Sequence, residues 1–200
     1  MFKVIIKTAL KTLLALIIVL ALAFVGLSLG YPSGMAGFFE NCGMYSFAKG
    51  YASLSYTYSG NISDLARCFN DGVMAGDDGN TANRGNELIL NEKFEEFCIA
   101  ETERLGLDYR QFVYGNTACA EYRRGQKNEA LETALEAVTD KNSFPVNNAL
   151  AQLAGAAKGD ATVLKLIKAE IESITPQESQ KDYYDRVLDS ITQSLNTENT

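Results

Sequence analysis

An all-α domain behind one N-terminal membrane helix is the fold class this sequence predicts, on three observations. Residues 1–30 are apolar apart from three lysines, the rest of the chain repeats apolar residues at helical spacing, and no segment sustains the alternation that marks a strand. Its 200 residues suffice for one compact domain with a hydrophobic core and an appendage.

The opening stretch MFKVIIKTALKTLLALIIVLALAFVGLSLG has Lys3, Lys7 and Lys11 as its only charges, and Gly26 and Ser28 alone interrupt the apolar run from Leu13 to Leu29. Spanning a bilayer takes about 17 to 25 apolar residues, whereas a cleaved signal peptide has a hydrophobic region of roughly 7 to 15 and an A-x-A-like site. The run reaches the spanning range, and the sites after Gly30 and after Met35-Ala36-Gly37 fit cleavage poorly. A signal anchor in the lipid bilayer is therefore expected at residues 12–30, with a removed signal peptide as the alternative. Because Lys and Arg beside a span stay on the cytoplasmic side, residues 1–11 are expected in the cytoplasm and residues 31–200 beyond the membrane.

Setting aside the three lysines leaves 15 basic against 25 acidic residues, a net charge near −10 for the exported part. Such a surface repels phosphate backbones and anionic head groups, which disfavours nucleic-acid binding and an electrostatic grip on lipid. Four cysteines, Cys42, Cys68, Cys98 and Cys119, lie beyond the span; the lack of C-x-x-C and of histidine argues against zinc ligation of the usual kinds. Disulfides and buried thiols both remain open. If the chain turns back near Leu107, Cys98 and Cys119 stand level on antiparallel helices, which makes them the pair to bridge.

Residues 31–43, YPSGMAGFFENCG, have no helical period and read as a linker ahead of a helical domain at 44–195. Helices are expected at Tyr45 to Tyr58 and, with Leu65, Cys68, Phe69 and Val73 on one face, at Asp64 to Val73. GDDGNTANRGN, residues 76–86, consists of turn formers and reads as the one long loop. Next come Glu87 to Leu105, capped by Gly106, and a helix from Asp108 as N-cap to Arg124. Lys127 to Val138, Pro145 to Ala157 and Ala161 to Ile174 follow. Thr175-Pro176-Gln177-Glu178 carries an N-cap, a first-turn proline and a capping-box Glu, and Tyr184, Val187, Leu188, Ile191 and Leu195 follow the 3.6 period. Residues 196–200 are expected to be a disordered tail, and the helices number about eight.

Three stretches share the order helix, glycine, polar turn, helix: around Gly60, Gly125 and Gly159. Gly125 and Gly159 stand 34 residues apart. Residues 111–138 resemble a tetratricopeptide repeat, the paired-helix unit of scaffold proteins, with Ala118, Gly125, Ala130, Ala134 and Ala137 at the positions where that family wants small residues. A shift of 65 residues lays Phe47 on Phe112, Gly50 on Gly115, Gly60 on Gly125 and Val73 on Val138, so residues 46–73 read as an earlier unit. Around Gly159 the fit weakens, because Gln152, Leu164 and Lys168 depart from the pattern; Glu87 to Leu105 falls outside the register and is expected to form a divergent hairpin.

The resemblance implies TPR-like antiparallel hairpins whose first helices line a groove for a protein or peptide partner. By position that face includes Phe47, Tyr58, Phe112, Tyr122 and Arg123, with Leu54, Val146 and Leu153 beside them. Aromatic and Arg side chains are the usual anchors of such surfaces. Phe47 and Phe112 also fit a plain core role, whereas Tyr58, Tyr122 and Arg123 each carry a polar end.

Catalytic, cofactor and metal signals are absent from this reading. GLSLG at Gly26 to Gly30 matches G-x-S-x-G, yet it lies in the apolar segment of a chain without histidine; as G-x-x-x-G it sits at the end of the span. Asp77-Asp78-Gly79-Asn80 lacks the Gly and Glu spacing of a calcium loop. Glu95-Glu96 and Glu101 with Glu103 fall on solvated helix faces, and Asn61-Ile62-Ser63 is a glycosylation sequon with meaning only in a eukaryotic secretory pathway. The expectation is a non-enzymatic, single-pass, membrane-anchored scaffold that binds a protein at the cell envelope; the alternative is a secreted or structural helical domain without a groove. A histidine-free enzyme using Asp or Glu is the third possibility.

Overall fold

The computed structural model describes residues 2–197, with side chains from Ile6 onward. Among the described residues there are eleven α-helices, one 3₁₀ turn and no strand. The chain divides into two compact units, Met1–Asp71 and Gly72–Thr200.

The first unit opens with α1 (Phe2–Gly30), whose segment Ile6–Gly30 is long and apolar enough to cross a membrane. Its 25 residues rise about 37 Å, against a hydrocarbon core of about 30 Å. Tyr31 alone separates it from α2 (Pro32–Asn41). Residues 31–43 are thus not a linker. Pro32 opens the helix where its missing N–H costs nothing, and Met35, Ala36 and Phe39 bury one short face. Glycines 34 and 37 masked that face in the sequence.

Helix α3 (Tyr45–Ser59) ends on Gly60, which takes the left-handed φ of +62°. Met35, Phe39 and Ala48 form one apolar cluster and Ala36, Ala52 and Cys68 another, with Tyr51 packed against both. Cys68 belongs to α4 (Ile62–Ala75), which starts in this unit. Ser55 and Ser59 both donate to the Asp64 carboxylate, at 2.9 and 2.7 Å, and so fasten the first turn of α4 to α3.

In the second unit α5 (Asp78–Ile89) occupies the stretch expected as a loop. Asp77 caps it by accepting from the Asn80 N–H at 3.0 Å, and its buried face is Thr81, Ala82, Gly85 and Leu88. Three small residues give no apolar period, yet they let the helix lie close to its neighbour. The helix expected from Glu87 to Leu105 is interrupted at residues 90–93, so that α6 (Phe94–Leu105) is separate.

Helix α7 (Tyr109–Arg123) is the axis of this unit, packed against α5, α6, α8 (Lys127–Glu136) and α9 (Ala149–Ala156). Gly85 lies over Thr117 and Gly115 over the Gln152 amide, with no room for a Cβ at either glycine. Ala118, Ala130, Ala134 and Ala137 are fully buried, and side chains this small let helix axes approach closely. Gly125 makes the α7/α8 turn at φ +84°, and Gly159 makes the turn that follows α9 at +93°.

Polar groups of α7 tie the ends of its neighbours. Arg110 donates to the Glu136 and Ala137 carbonyls at 3.2 and 3.0 Å, supplying the cation a helix C-terminus favours, and pairs with Glu95 of α6 at 3.0 Å. Gln111 donates to the Ala137 carbonyl at 2.8 Å and accepts from the Ala149 N–H at 2.9 Å. Helix α9 begins at Ala149 rather than near Pro145, because Asn148 is its cap.

Helix α10 (Ala161–Glu172) is capped by Asp160. The chain then makes a 3₁₀ turn at Glu178–Gln180 before α11 (Lys181–Thr197), a later start than the capping-box signal at Thr175 suggests. Phe144 fits against the rings of Tyr183 and Tyr184, and Ile191 closes the buried stripe of α11. Residues 196 and 197 continue that helix instead of fraying; 198–200 lie outside the described residues.

Candidate partner-binding surface

The five residues singled out for partner contact fall on two helices. In the first unit Phe47 and Tyr58 lie on α3, 57% and 62% exposed, and Phe47 stacks on the buried ring of Phe39 at 5.4 Å. Leu54 is half-buried between them along the helix. In the second unit Phe112, Tyr122 and Arg123 lie on α7, whose other faces are covered by four helices.

What remains open on α7 is a narrow stripe. Phe112, Asn116 and Arg123, at steps of four and seven residues, lie on one side of an α-helix, with the buried Cys119 between the last two. Phe112 and Asn116 are half-buried and Arg123 is exposed. Phe112 stacks on Tyr109 at 5.7 Å, the Asn116 side-chain amide donates to the Phe112 carbonyl at 2.8 Å, and Arg123 pairs with Asp78 of α5 at 2.7 Å. Ring, amide and guanidinium thus follow one another along about 16 Å of helix.

Tyr122 points off this stripe. Its hydroxyl donates to Asp160 at 3.2 Å, and Lys127 donates to the same carboxylate oxygen at 2.6 Å. Asp160 also accepts from the Val163 N–H as the cap of α10, and these donors, Lys127 foremost, hold its carboxyl below the ordinary range. The turns after α7 and before α10 are therefore joined through one carboxylate. Val146 is exposed and Leu153 is buried in the core.

Cys98, Cys119 and Cys68 are buried thiols outside any disulfide, while Cys42 is exposed. Burial pushes the Cys98 thiol up to about 12 and the Cys119 thiol up to about 11, so neither is a nucleophile near neutral pH. Among the described residues no three His, Cys, Asp or Glu side chains converge to hold a metal.

Two buried acidic arrangements carry no signal in the sequence. Glu121, 3% exposed, accepts from Asn86 and from Thr133 at 2.8 Å each, linking α5, α7 and α8. In the first unit the Glu40 carboxylate pairs with Arg67, whose Nη2 donates at 2.7 Å, and Arg67 also donates to the Ser33 carbonyl at 2.9 Å. Asp71, 3% exposed, lies near the Glu40 and Arg67 charges, and its buried Oδ2 has no hydrogen-bond partner. Burial, and then the Glu40 charge, raise the Asp71 carboxyl to about 7 against the pull of Arg67.

No protein-family model, curated protein or solved structure matches this chain. The geometry therefore has to carry the functional argument unaided.

Proposed function

We propose that this chain is a membrane-anchored scaffold whose helical repeats, of the tetratricopeptide-like kind, bind a protein or peptide partner beyond the membrane at the cell envelope. The observation that carries the reading is the partial exposure of Phe112, Asn116 and Arg123 along one side of a helix packed by four others. Support for a repeat comes from the serial packing of α5, α7 and α9 and from turn glycines 34 residues apart, at Gly125 and Gly159. Support for an anchor comes from the length and hydropathy of Ile6–Gly30. An aromatic ring and a guanidinium on a rigid helix lose little entropy on binding, which is why such groups anchor interfaces.

The test is a photo-reactive phenylalanine analogue in place of Asn116, in the full chain in its native membrane. A discrete cross-linked product is expected, reduced about tenfold or more by Arg123→Glu, as removal of an interface anchor requires. The same loss should not follow Glu129→Gln, on the exposed side of α8. Adducts that ignore Arg123→Glu, or no adduct from the stripe at all, sink the reading.

A further inference from the structure

The helical hairpin directly beyond α1 differs from the rest of the chain in charge and in aromatic content. Residues 31–63 contain two charged side chains, Glu40 and Lys49, and Glu40 is paired with Arg67, whereas the chain after residue 63 is strongly acidic. Eight of the 20 aromatic residues lie between Tyr31 and Tyr58, five of them tyrosines.

Many of these rings face outward. Tyr31, Phe38, Met44, Phe47 and Tyr58 are 41% to 64% exposed. Phe38 meets Phe39 edge-on and Phe47 stacks on it, both at 5.4 Å, so the two exposed rings flank a buried one. Phe47, Leu54 and Tyr58 recur at steps of seven and four, a single stripe along α3.

The hairpin is also fixed in height. One residue separates α1 from α2, and the Tyr51 hydroxyl bonds Ser28 of the last turn of α1 at 3.0 Å. If Gly30 ends the hydrocarbon-spanning part, α2 and this part of α3 stand at the level of the lipid head groups.

We propose that α2 and α3 form an interfacial hairpin that rests on the membrane its own span leaves, with Tyr31, Phe38, Met44, Phe47 and Tyr58 set into the headgroup layer. The inference rests on the reading of residues 12–30 as a span. Tyrosine is suited to this layer because the ring is apolar and the hydroxyl reaches water. The near absence of carboxylates matters equally, since the acidic surface of the later chain would be repelled by anionic lipids. Contact of this kind is apolar and therefore insensitive to salt. It reassigns Phe47 and Tyr58 from a protein groove to lipid.

The chain has no tryptophan, so single substitutions report without background. Full-length protein carrying Phe24→Trp, Phe38→Trp, Phe47→Trp or Ile99→Trp is reconstituted into phosphatidylcholine vesicles, plain or with lipid brominated near the headgroup end of the acyl chain. Quenching of Phe38→Trp and Phe47→Trp by about half or more is expected at interfacial depth, with less than about a tenth for Ile99→Trp on exposed α6. Phe24→Trp, within the span, should be quenched by lipid brominated near the chain end. If Phe24→Trp is quenched while Phe38→Trp and Phe47→Trp behave as Ile99→Trp, the hairpin proposal fails and the span stands. If Phe24→Trp is not quenched by either lipid, the span reading fails and takes the proposal with it.

Discussion

At the scale of single residues, Asp71 is the group whose chemistry is set most sharply by its surroundings. An isolated aspartate loses its proton near 3.9, whereas burial and the neighbouring Glu40 hold Asp71 to about 7. The folded state therefore keeps a proton that the unfolded chain releases between those values. Stability from this group is fully present below about 3.9 and is lost as pH rises through about 7. Asn in place of Asp keeps the size and polarity of the side chain without the titration. Hydrogen exchange of α2 and α4 amides in the solubilised full chain should accelerate between pH 5 and pH 8 by more in the wild type than in Asp71→Asn, after correction for intrinsic exchange; parallel profiles would refute the assignment. Nothing local in the sequence announces this site, because Glu40 and Asp71 meet only through the packing of α2 and α4. Arg123 and Phe112 were legible, since both follow from their place on a strongly marked helix. Asn116 was not, because a lone amide between them has no pattern of its own.

At the scale of elements, stretches rich in helix formers were readable even where the buried face is small, as in α3, and a stretch of turn formers was not. Helix α3 runs from Tyr45 to Ser59, within a residue of its expected end, and Ile191 lies at the centre of the predicted α11 stripe. By contrast α5 is built from turn formers and still folds as a helix, because Asp77 caps it and Gly85 lets Thr117 approach. Tertiary contact overrides propensity there. The two glycines of α5 provide the check. Gly85→Ala places a methyl group into Thr117 and should cost about 1–3 kcal/mol in chemical denaturation, the range for overpacking a filled site. Gly79→Ala, on the half-exposed first turn, meets the Asp77 carboxylate at ordinary contact distance and should be neutral or stabilising by about 0.5 kcal/mol. Equal effects at the two positions would mean that α5 does not pack on α7 through Gly85. Residues 31–43 teach the same lesson, since the α2 face of Met35, Ala36 and Phe39 is too short for a period to emerge beside two glycines.

At the scale of the whole chain, the distribution of charge supports the proposed orientation. Lys3, Lys7 and Lys11 precede the apolar segment, and the part beyond it carries a net charge near −10. Moving one positive charge outward against an inside-negative potential costs about 2.3 kcal/mol per 100 mV, so exporting all three lysines would cost about 7 kcal/mol. Acidic residues add little to the choice, and in the proposed orientation the short basic flank directs the large C-terminal part outward. The reading therefore predicts that alkaline phosphatase fused after Thr200 is active when expressed in a bacterium, while a green fluorescent protein fused at the same place, exported unfolded, stays dark. Replacing all three lysines by glutamate should reduce phosphatase activity severalfold by weakening the inward hold on residues 1–11. Fractionation completes the experiment, because a retained anchor leaves the activity in the membrane pellet and a removed one releases it in soluble form from near Tyr31. A fluorescent fusion with inactive phosphatase would reverse the topology and place the Phe112 and Arg123 stripe in the cytoplasm. The partner would then have to be sought on that side.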